Sequence, residues 1–337
     1  MAGDPAVPAR PVGKPRSVLR WVGDAGSALL VALWIVHRIS PSGIVGTTVA
    51  LAPQWLWPAL SLLFLALAAR SRSVVSVFLA VLVALPASMF LSGFSTGAGR
   101  STTRGTDDVE LRVVTWNVHN QYGRVAQIVG QLQEIDADVI CLQEASDKAF
   151  DGLFPGMEEV HSTSLKVYVR GSLRPWQEAR EADPLFQRWL PLVVDAKGVR
   201  LRLLPVHLHG RVGGYRLMND RSRLDEYLAG MRRTNPRQIE TIARVARGPD
   251  PVLICGDLNT PPLSPALNVL RDEYTDAFAL AGLGLGLTYL LQGKVSAWRI
   301  DYIWCGGGVR PVRCFTGKAG PSDHRPVIAD IVVPGAG

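Results

Sequence analysis

Three long apolar stretches in the first hundred residues constrain this chain more than any other feature of it. They run from Trp21 to Ile39, from Ile44 to Ala69 and from Val74 to Phe94, each close to the ~20 residues a helix needs to cross ~30 Å of hydrocarbon. The second and third contain no Asp, Glu, Lys or Arg. A helix packed in a water-soluble protein carries a polar face, and these have none, so they read as membrane spans rather than core helices. The first stretch, interrupted by Asp24, His37 and Arg38, carries the weakest pattern of the three.

Charge sets the expected orientation. Up to Arg100 there are eight Lys or Arg against two Asp or Glu, and beyond it 28 against 27, so the first part carries +6 of the +7 formal charge. Arg10, Lys14, Arg16 and Arg20 precede the first stretch, and Arg70 and Arg72 separate the second from the third. Both clusters are expected on the cytoplasmic side. Three crossings then leave everything after Phe94 outside. Cleavage of the first stretch as a signal peptide would still leave two spans. The near-neutral second part weakens the nucleic-acid reading that a basic chain otherwise invites.

The chain therefore divides into a basic cytoplasmic N-terminus (1–20), a three-helix membrane anchor (21–94), a linker (95–108) and a C-terminal domain (109–337). The linker is almost all Gly, Ser, Thr, Arg and Asp, with little to bury. In the last part apolar strands alternate with amphipathic helices. Strands are predicted at Leu111–Trp116, Asp138–Leu142, Val199–Val206, Val252–Cys255, Ile300–Trp304 and Val327–Val333. A helix is predicted from about Arg124 to Ile135. Another starts at Asn235, with Pro236 in its first turn and Gln238 completing a capping box, and stops at Gly248. The layout is that of an α/β domain. Cys141 and Cys255 lie in apolar runs and read as packed thiols, whereas Cys305 and Cys314 flank Gly306, Gly307 and Gly308 in an expected hairpin and could pair in an oxidising compartment.

Polar residues close those strands in an order that packing alone does not explain. They are Asn117 in Val-Thr-Trp-Asn-Val, Glu144 in Ile-Cys-Leu-Gln-Glu, His207 in Val-His-Leu, and Asp257 and Asn259 in Cys-Gly-Asp-Leu-Asn. Asp301 in Arg-Ile-Asp-Tyr-Ile and Asp323 with His324 in Pro-Ser-Asp-His-Arg-Pro complete the set. Singly, each fits a turn, a cap or a satisfied histidine. Together, four carboxylates, two histidines and two asparagines supply what metal-assisted phosphoryl transfer requires.

On these motifs, Leu111 to Val333 resembles the endonuclease/exonuclease/phosphatase superfamily, with Gly-Asp-Leu-Asn and Ser-Asp-His-Arg-Pro the most specific segments. The resemblance implies a four-layer α/β sandwich, here preceded by three transmembrane helices, and a magnesium-dependent hydrolase of phosphate esters, with manganese as the substitute ion. A hard, oxygen-preferring ion suits Asn117, Glu144 and Asp323 as its site. Asp257 is expected to orient or deprotonate the attacking water and Asn259 to hold it or the phosphoryl oxygens, with the resemblance leaving either Asp257 or His324 as the general base. His324, braced by Asp301, is expected to donate to the phosphate as an imidazolium. His207 would contact another phosphate oxygen or protonate the leaving group.

The chain departs from the family at Ser-Leu-Lys-Val-Tyr-Val-Arg-Gly, where only Arg170 echoes the usual Gly-x-x-Ile-Leu-Ser-Arg element. After His207 comes an arginine-dense segment in which Arg211 and Arg216 read either as a solvated helix face or as an anion-binding lip. The substrate expected of a site held near a bilayer is a lipid-linked phosphate or diphosphate, or a phospholipid headgroup. A surface nuclease and a catalytically silent binding module are the alternatives.

Overall fold

The computed structural model describes residues 14–99, 105–119, 122–145, 148–182, 188–208 and 235–335. They form two compact units, one of residues Met1–Val49 and Trp55–Ser92 and the other of Ala50–Gln54 and Gly93–Gly337.

The first unit is helical, with helices at Lys14–Ile39, Ile44–Leu51 and Leu56–Ser71, followed by a helix over Val74–Ser92 that takes a π-turn at Ala80–Ala84. Ser17–Ile39 and Val74–Ser92 are each long and apolar enough to cross a membrane. The expected middle helix from Ile44 to Ala69 is not continuous. Its two parts meet at 92°, because Pro53 has no amide hydrogen to donate and its ring disfavours the helical conformation of Ala52. Within this unit the helix of residues 14–39 approaches that of residues 56–71 closely at Gly26, where an added Cβ would lie 2.3 Å from the Phe64 ring. Small residues let apolar helices come together in this way.

The second unit holds two six-stranded sheets. In chain order the strands are β1 (Val109–Asn117), β2 (Val139–Gln143), β3 (Glu158–His161), β4 (Leu165–Val169), β5 (Gly171–Pro175), β6 (Leu192–Ala196), β7 (Val199–His207), β8 (Val252–Asp257), β9 (Thr275–Asp276), β10 (Tyr289–Leu291), β11 (Val295–Trp298), β12 (Asp301–Gly306), β13 (Arg310–Thr316) and β14 (Val327–Val333). The first sheet has the order β13-β14-β1-β2-β4-β3 and the second β5-β6-β7-β8-β12-β9, while β10 and β11 pair with each other. In the first, β1 (Val109–Asn117) runs parallel to β2 (Val139–Gln143) and antiparallel to β14 (Val327–Val333). In the second, β7 (Val199–His207) runs parallel to β8 (Val252–Asp257) and β8 antiparallel to β12 (Asp301–Gly306). The central strands β2, β8 and β14 are buried along their whole length, as continuous apolar runs covered on both faces require. The polar strands β3 (Glu158–His161) and β5 (Gly171–Pro175) lie at sheet edges, where charge discourages further pairing.

Alternation along the strands sorts the core into three. Between the sheets pack Val113, Val139, Cys141, Val167, Leu253, Cys255 and Ile303. Outside the first sheet Trp116, Ile140 and Leu142 meet Ile128 and Leu132 from the helix Val125–Ile135. Outside the second, Leu204, Val206, Ile254 and Trp304 meet Ile239, Ile242 and Ala243 from a helix over residues 235–246. The four-layer α/β sandwich that the resemblance implied is observed as two stacked sheets, each with a helix packed on its outer face.

All four cysteines are free and buried. Cys141 and Cys255 pack across the sandwich with sulfurs 3.3 Å apart. Cys305 and Cys314 do not flank a hairpin. Gly306 ends β12 in one sheet, and β13 (Arg310–Thr316) starts in the other, so Gly307 and Gly308, both with positive φ, turn the chain between layers.

Candidate active site

Strand direction explains why residues so far apart in sequence meet. Parallel strands present their C-terminal ends at one edge of the sandwich, and an antiparallel neighbour presents its start there. Asn117 ends β1, Glu144 follows β2, His207 ends β7 and Asp257 ends β8, while Asp301 begins β12 and Asp323 and His324 lead into β14. In the second sheet His207 pairs in register with Asp257, and Asp257 with Asp301, so three functional side chains stand on adjacent strands.

A hydrogen-bonded network joins the two sheets there. The Asn117 amide nitrogen donates to Glu144 Oε1 and to Asp257 Oδ2, both at 3.1 Å, and Asn117 Oδ1 accepts the His119 amide at 3.0 Å. The Asn259 amide donates to Asp257 Oδ1 at 2.8 Å, and Asn259 Nδ2 donates to the Leu208 carbonyl at 3.1 Å. His324 Nδ1 lies 2.9 Å from Asp301 Oδ2, and its Nε2 lies 3.9 Å from Asp257 Oδ2. The ligand atoms of Asp257, Asp301 and His324 all fall within 4.8 Å of one another. The loop that carries His324 is tied down by Ser322, which donates to the Asn117 carbonyl and accepts the His324 amide, and by the Trp116 indole donating to the His324 carbonyl.

Burial makes these groups electrostatically unequal. Burial and the neighbouring Asp301 push the Asp257 carboxyl up to about 7, against the pull of His324, Asn117 and the Asn259 amide. Burial opposes charge on His324, but Asp301, Asp257 and Asp323 outweigh it and lift the ring to about 10. Burial holds His207 down to about 4, with Arg188 and His324 adding to the effect and Glu144 opposing it. The site therefore holds an imidazolium, a neutral imidazole and a carboxyl poised near neutrality, the spread an acid–base site needs.

Every strand-end residue singled out in the sequence reaches this edge. Arg170 does not, because it follows β4 (Leu165–Val169) at the opposite end of the sheet, where it binds the Asp138 carbonyl and pairs with Asp136 at 2.6 Å. Arg211 and Arg216 lie outside the described residues. Sequence reasoning missed three neighbours. Tyr289 sets its ring edge-on to His324 with centroids 5.1 Å apart. Thr288 accepts the Ile300 and Asp301 amides through its hydroxyl. His119 brings Nδ1 to 3.6 Å from Glu144 Oε2 and 3.5 Å from Asp323 Oδ1. Of these only His119, two residues beyond Asn117, left a visible signal.

The donor set suits a divalent cation. Asp323 Oδ1 is a buried carboxylate oxygen without a hydrogen-bond partner, a costly state unless a cation completes it. Hard oxygen donors of this kind favour magnesium-like ions. Asn117 presents nitrogen, not oxygen, to the carboxylates, so direct ligation through Oδ1 requires its amide to turn over.

A phosphoester-hydrolase class is what this sandwich and edge site define, and residues 114–324 match the model of the Endonuclease/Exonuclease/phosphatase family, so the chain belongs to that family. Among individual proteins it is similar to Protein angel homolog 2 of Danio rerio, 27% identical over an aligned length of 181 residues, with 45% of this chain and 30% of that protein covered. The chain thus matches under a third of that relative's length. Among solved structures it is similar to a humanized D. rerio TDP2, with a TM-score of 0.49 at 16% identity over 66% of this chain and 98% of that one. An AP endonuclease from Archaeoglobus fulgidus gives a TM-score of 0.46 at 16% identity over 65% and 98%.

Proposed function

We propose that the chain is a membrane-anchored, divalent-metal-dependent phosphohydrolase whose catalytic domain works outside the cytoplasm on a lipid-linked phosphate or diphosphate or a phospholipid headgroup. The observation that carries the hydrolase reading is the buried line of Asp257, His324 and Asp301 beside Glu144 and Asn117.

Asp257, ionised above its raised pKa, accepts the proton of the attacking water, and the Asn117 and Asn259 donors fix the direction of its carboxylate. His324 Nε2 donates to a phosphoryl oxygen, and Asp301 holds the ring oriented and charged. His207, kept neutral, serves as a hydrogen-bonding contact to another phosphate oxygen rather than as a reservoir of protons. Glu144 and Asp323 are the residues that would hold magnesium, or manganese in its place; Asn117 would join them only by turning its amide over and giving up its hydrogen bond to Asp257. When bound, such an ion neutralises charge developing on the phosphoryl oxygens.

The membrane part rests on exposure. Among the described residues nearly every exposed large apolar side chain lies between Val18 and Phe94, and beyond that span only Leu283 and Val295 join them. Apolar surface on that scale needs a cover, and hydrocarbon is the cover that helices of this length fit. An anchored site gains local concentration on a substrate in the same bilayer. Arg211 and Arg216 supply the anion-binding chemistry such a headgroup calls for.

The test is the full chain in detergent micelles with magnesium, offered polyprenyl diphosphate, phospholipid, bis-p-nitrophenyl phosphate and plasmid DNA. Lipid phosphate should be released and Glu144→Ala should abolish it. Faster cleavage of plasmid DNA than of either lipid would overturn the lipid assignment in favour of a surface nuclease.

A further inference from the structure

Asp301 and His324 come from different sheets. Asp301 begins β12 in the second sheet, and His324 lies just before β14 in the first. Their hydrogen bond, Nδ1 to Oδ2 at 2.9 Å, therefore spans a boundary that no ladder between β12 and β14 crosses. A bond of that length orients a ring only while the two main chains that carry its partners are fixed against each other.

Thr288, one residue before β10, supplies that link. Its hydroxyl oxygen accepts the Ile300 and Asp301 amides, at 3.0 and 3.2 Å, which holds the start of β12. Its carbonyl accepts the Arg325 amide at 2.7 Å, and two residues on the Leu290 amide donates to the Asp323 carbonyl, also at 2.7 Å, so this pair of bonds brackets His324. Between them Tyr289 bridges His324 across the two strands and sets its ring edge-on to the imidazole. One residue thus grips the Asp301 side with its side chain and the His324 side with its main chain. Thr288 is fully buried. A hydroxyl in such a place is costly to bury unless it is bonded, and the two amides it accepts meet that cost.

We propose that Thr288 is a positioning residue that, through its hydroxyl, holds Asp301 in register with the His324 ring. The proposal rests on the reading above of Asp301 and His324 as the pair that presents a proton to the phosphoryl oxygen. Thr288→Val keeps the branched shape and the carbonyl bond to Arg325, and removes only the acceptor for the Ile300 and Asp301 amides. Thr288→Ser keeps that acceptor.

The experiment uses the full chain in detergent, with bis-p-nitrophenyl phosphate and saturating magnesium for kinetics. In parallel, nitrogen-15 labelling of the six histidines follows the Nδ1 proton of His324 by NMR at one fixed pH, assigned by its absence in His324→Gln. In Thr288→Val kcat should fall about tenfold or more while KM stays within about twofold, and the Nδ1 proton held against Asp301 should move upfield or vanish. Thr288→Ser should restore both, to within about threefold in kcat. An unchanged kcat or an unchanged Nδ1 proton in the folded valine variant overturns the proposal, and so does a folded serine variant as impaired as valine. Thr288→Ala, which also lacks the hydroxyl, is judged by the same criteria where valine does not fold. Wild type that shows the Nδ1 proton but hydrolyses no phosphate ester would overturn the hydrolase reading instead, since the proton reports the positioning without turnover.

Discussion

Asp257 and His324 face each other across 3.9 Å in a site that water barely reaches, and both hold their protons more tightly than the free side chains do. The carboxyl is lifted to about 7 and the ring to about 10. A base that must be ionised and an acid that must be protonated coexist between those values, so kcat/KM should rise through about 7 and fall through about 10. Asp301 is the main support of the upper limit. Asp301→Asn removes that anion, so the alkaline limb should move down toward an ordinary histidine, by one pH unit or more, while the acid limb moves down less. An alkaline limb that stays in place in this variant would show that His324 is not the acid. The same shift links to stability: protonation of His324 favours the fold fully below the free-histidine value of 6.5 and the contribution is lost as pH rises through about 10. The positions of these residues were legible in sequence because each closes an apolar run with a group that packing does not want. Arg170 misled because only its spacing echoed a family element, and spacing does not reveal that β4 runs antiparallel to β2 and delivers it to the wrong end.

At the scale of elements, the site depends on how closely β7 and β8 approach just before their polar ends. Gly256 has φ 140°, and a Cβ there would lie 1.9 Å from the Val206 carbonyl oxygen. Neither backbone can retreat without moving His207 or Asp257, the next residues along. Gly256→Ala should therefore destabilise the chain on the order of 3 kcal/mol or more. Gly130, inside the helix Val125–Ile135, has nothing within 4 Å of an added Cβ. Gly130→Ala should raise stability by about 0.5–1 kcal/mol through helix propensity alone. Thermal melts of the two variants should thus shift in opposite directions, and a Gly256→Ala melt unchanged from wild type would mean the strands are looser than described. The strands themselves could be read from apolar runs bounded by turn residues. Their sheet membership could not, which is why Cys305 and Cys314 suggested a hairpin: Gly306, Gly307 and Gly308 signal a turn without saying whether it stays within a sheet or crosses between two.

For the whole molecule, the two units are not consecutive in sequence. Residues Ala50–Gln54 belong to the unit that contains the site, although helices of the first unit lie on both sides of them. Gln54 is buried; its amide donates to the Ala297 carbonyl at 3.0 Å and its Oε1 accepts the Arg299 amide at 2.6 Å, while the Trp298 indole donates to the Leu51 carbonyl at 3.0 Å. Asp301 is two residues beyond Arg299. A polar side chain flanked by Pro53 and Trp55 in a run read as one span was the sign that this stretch is not one straight helix, and the surrounding hydrophobicity masked it. Gln54→Met keeps the length of the side chain and removes the acceptor, leaving the Arg299 amide buried without a partner, which costs about 1–3 kcal/mol. The full-length variant should melt earlier than wild type. It should also lose kcat more than it changes KM, since the start of β12 positions Asp301 and, through it, the His324 ring. A melt and a kcat both equal to wild type would mean that the catalytic unit is complete without this segment. A lowered melt with kcat intact would confine the segment to a structural role.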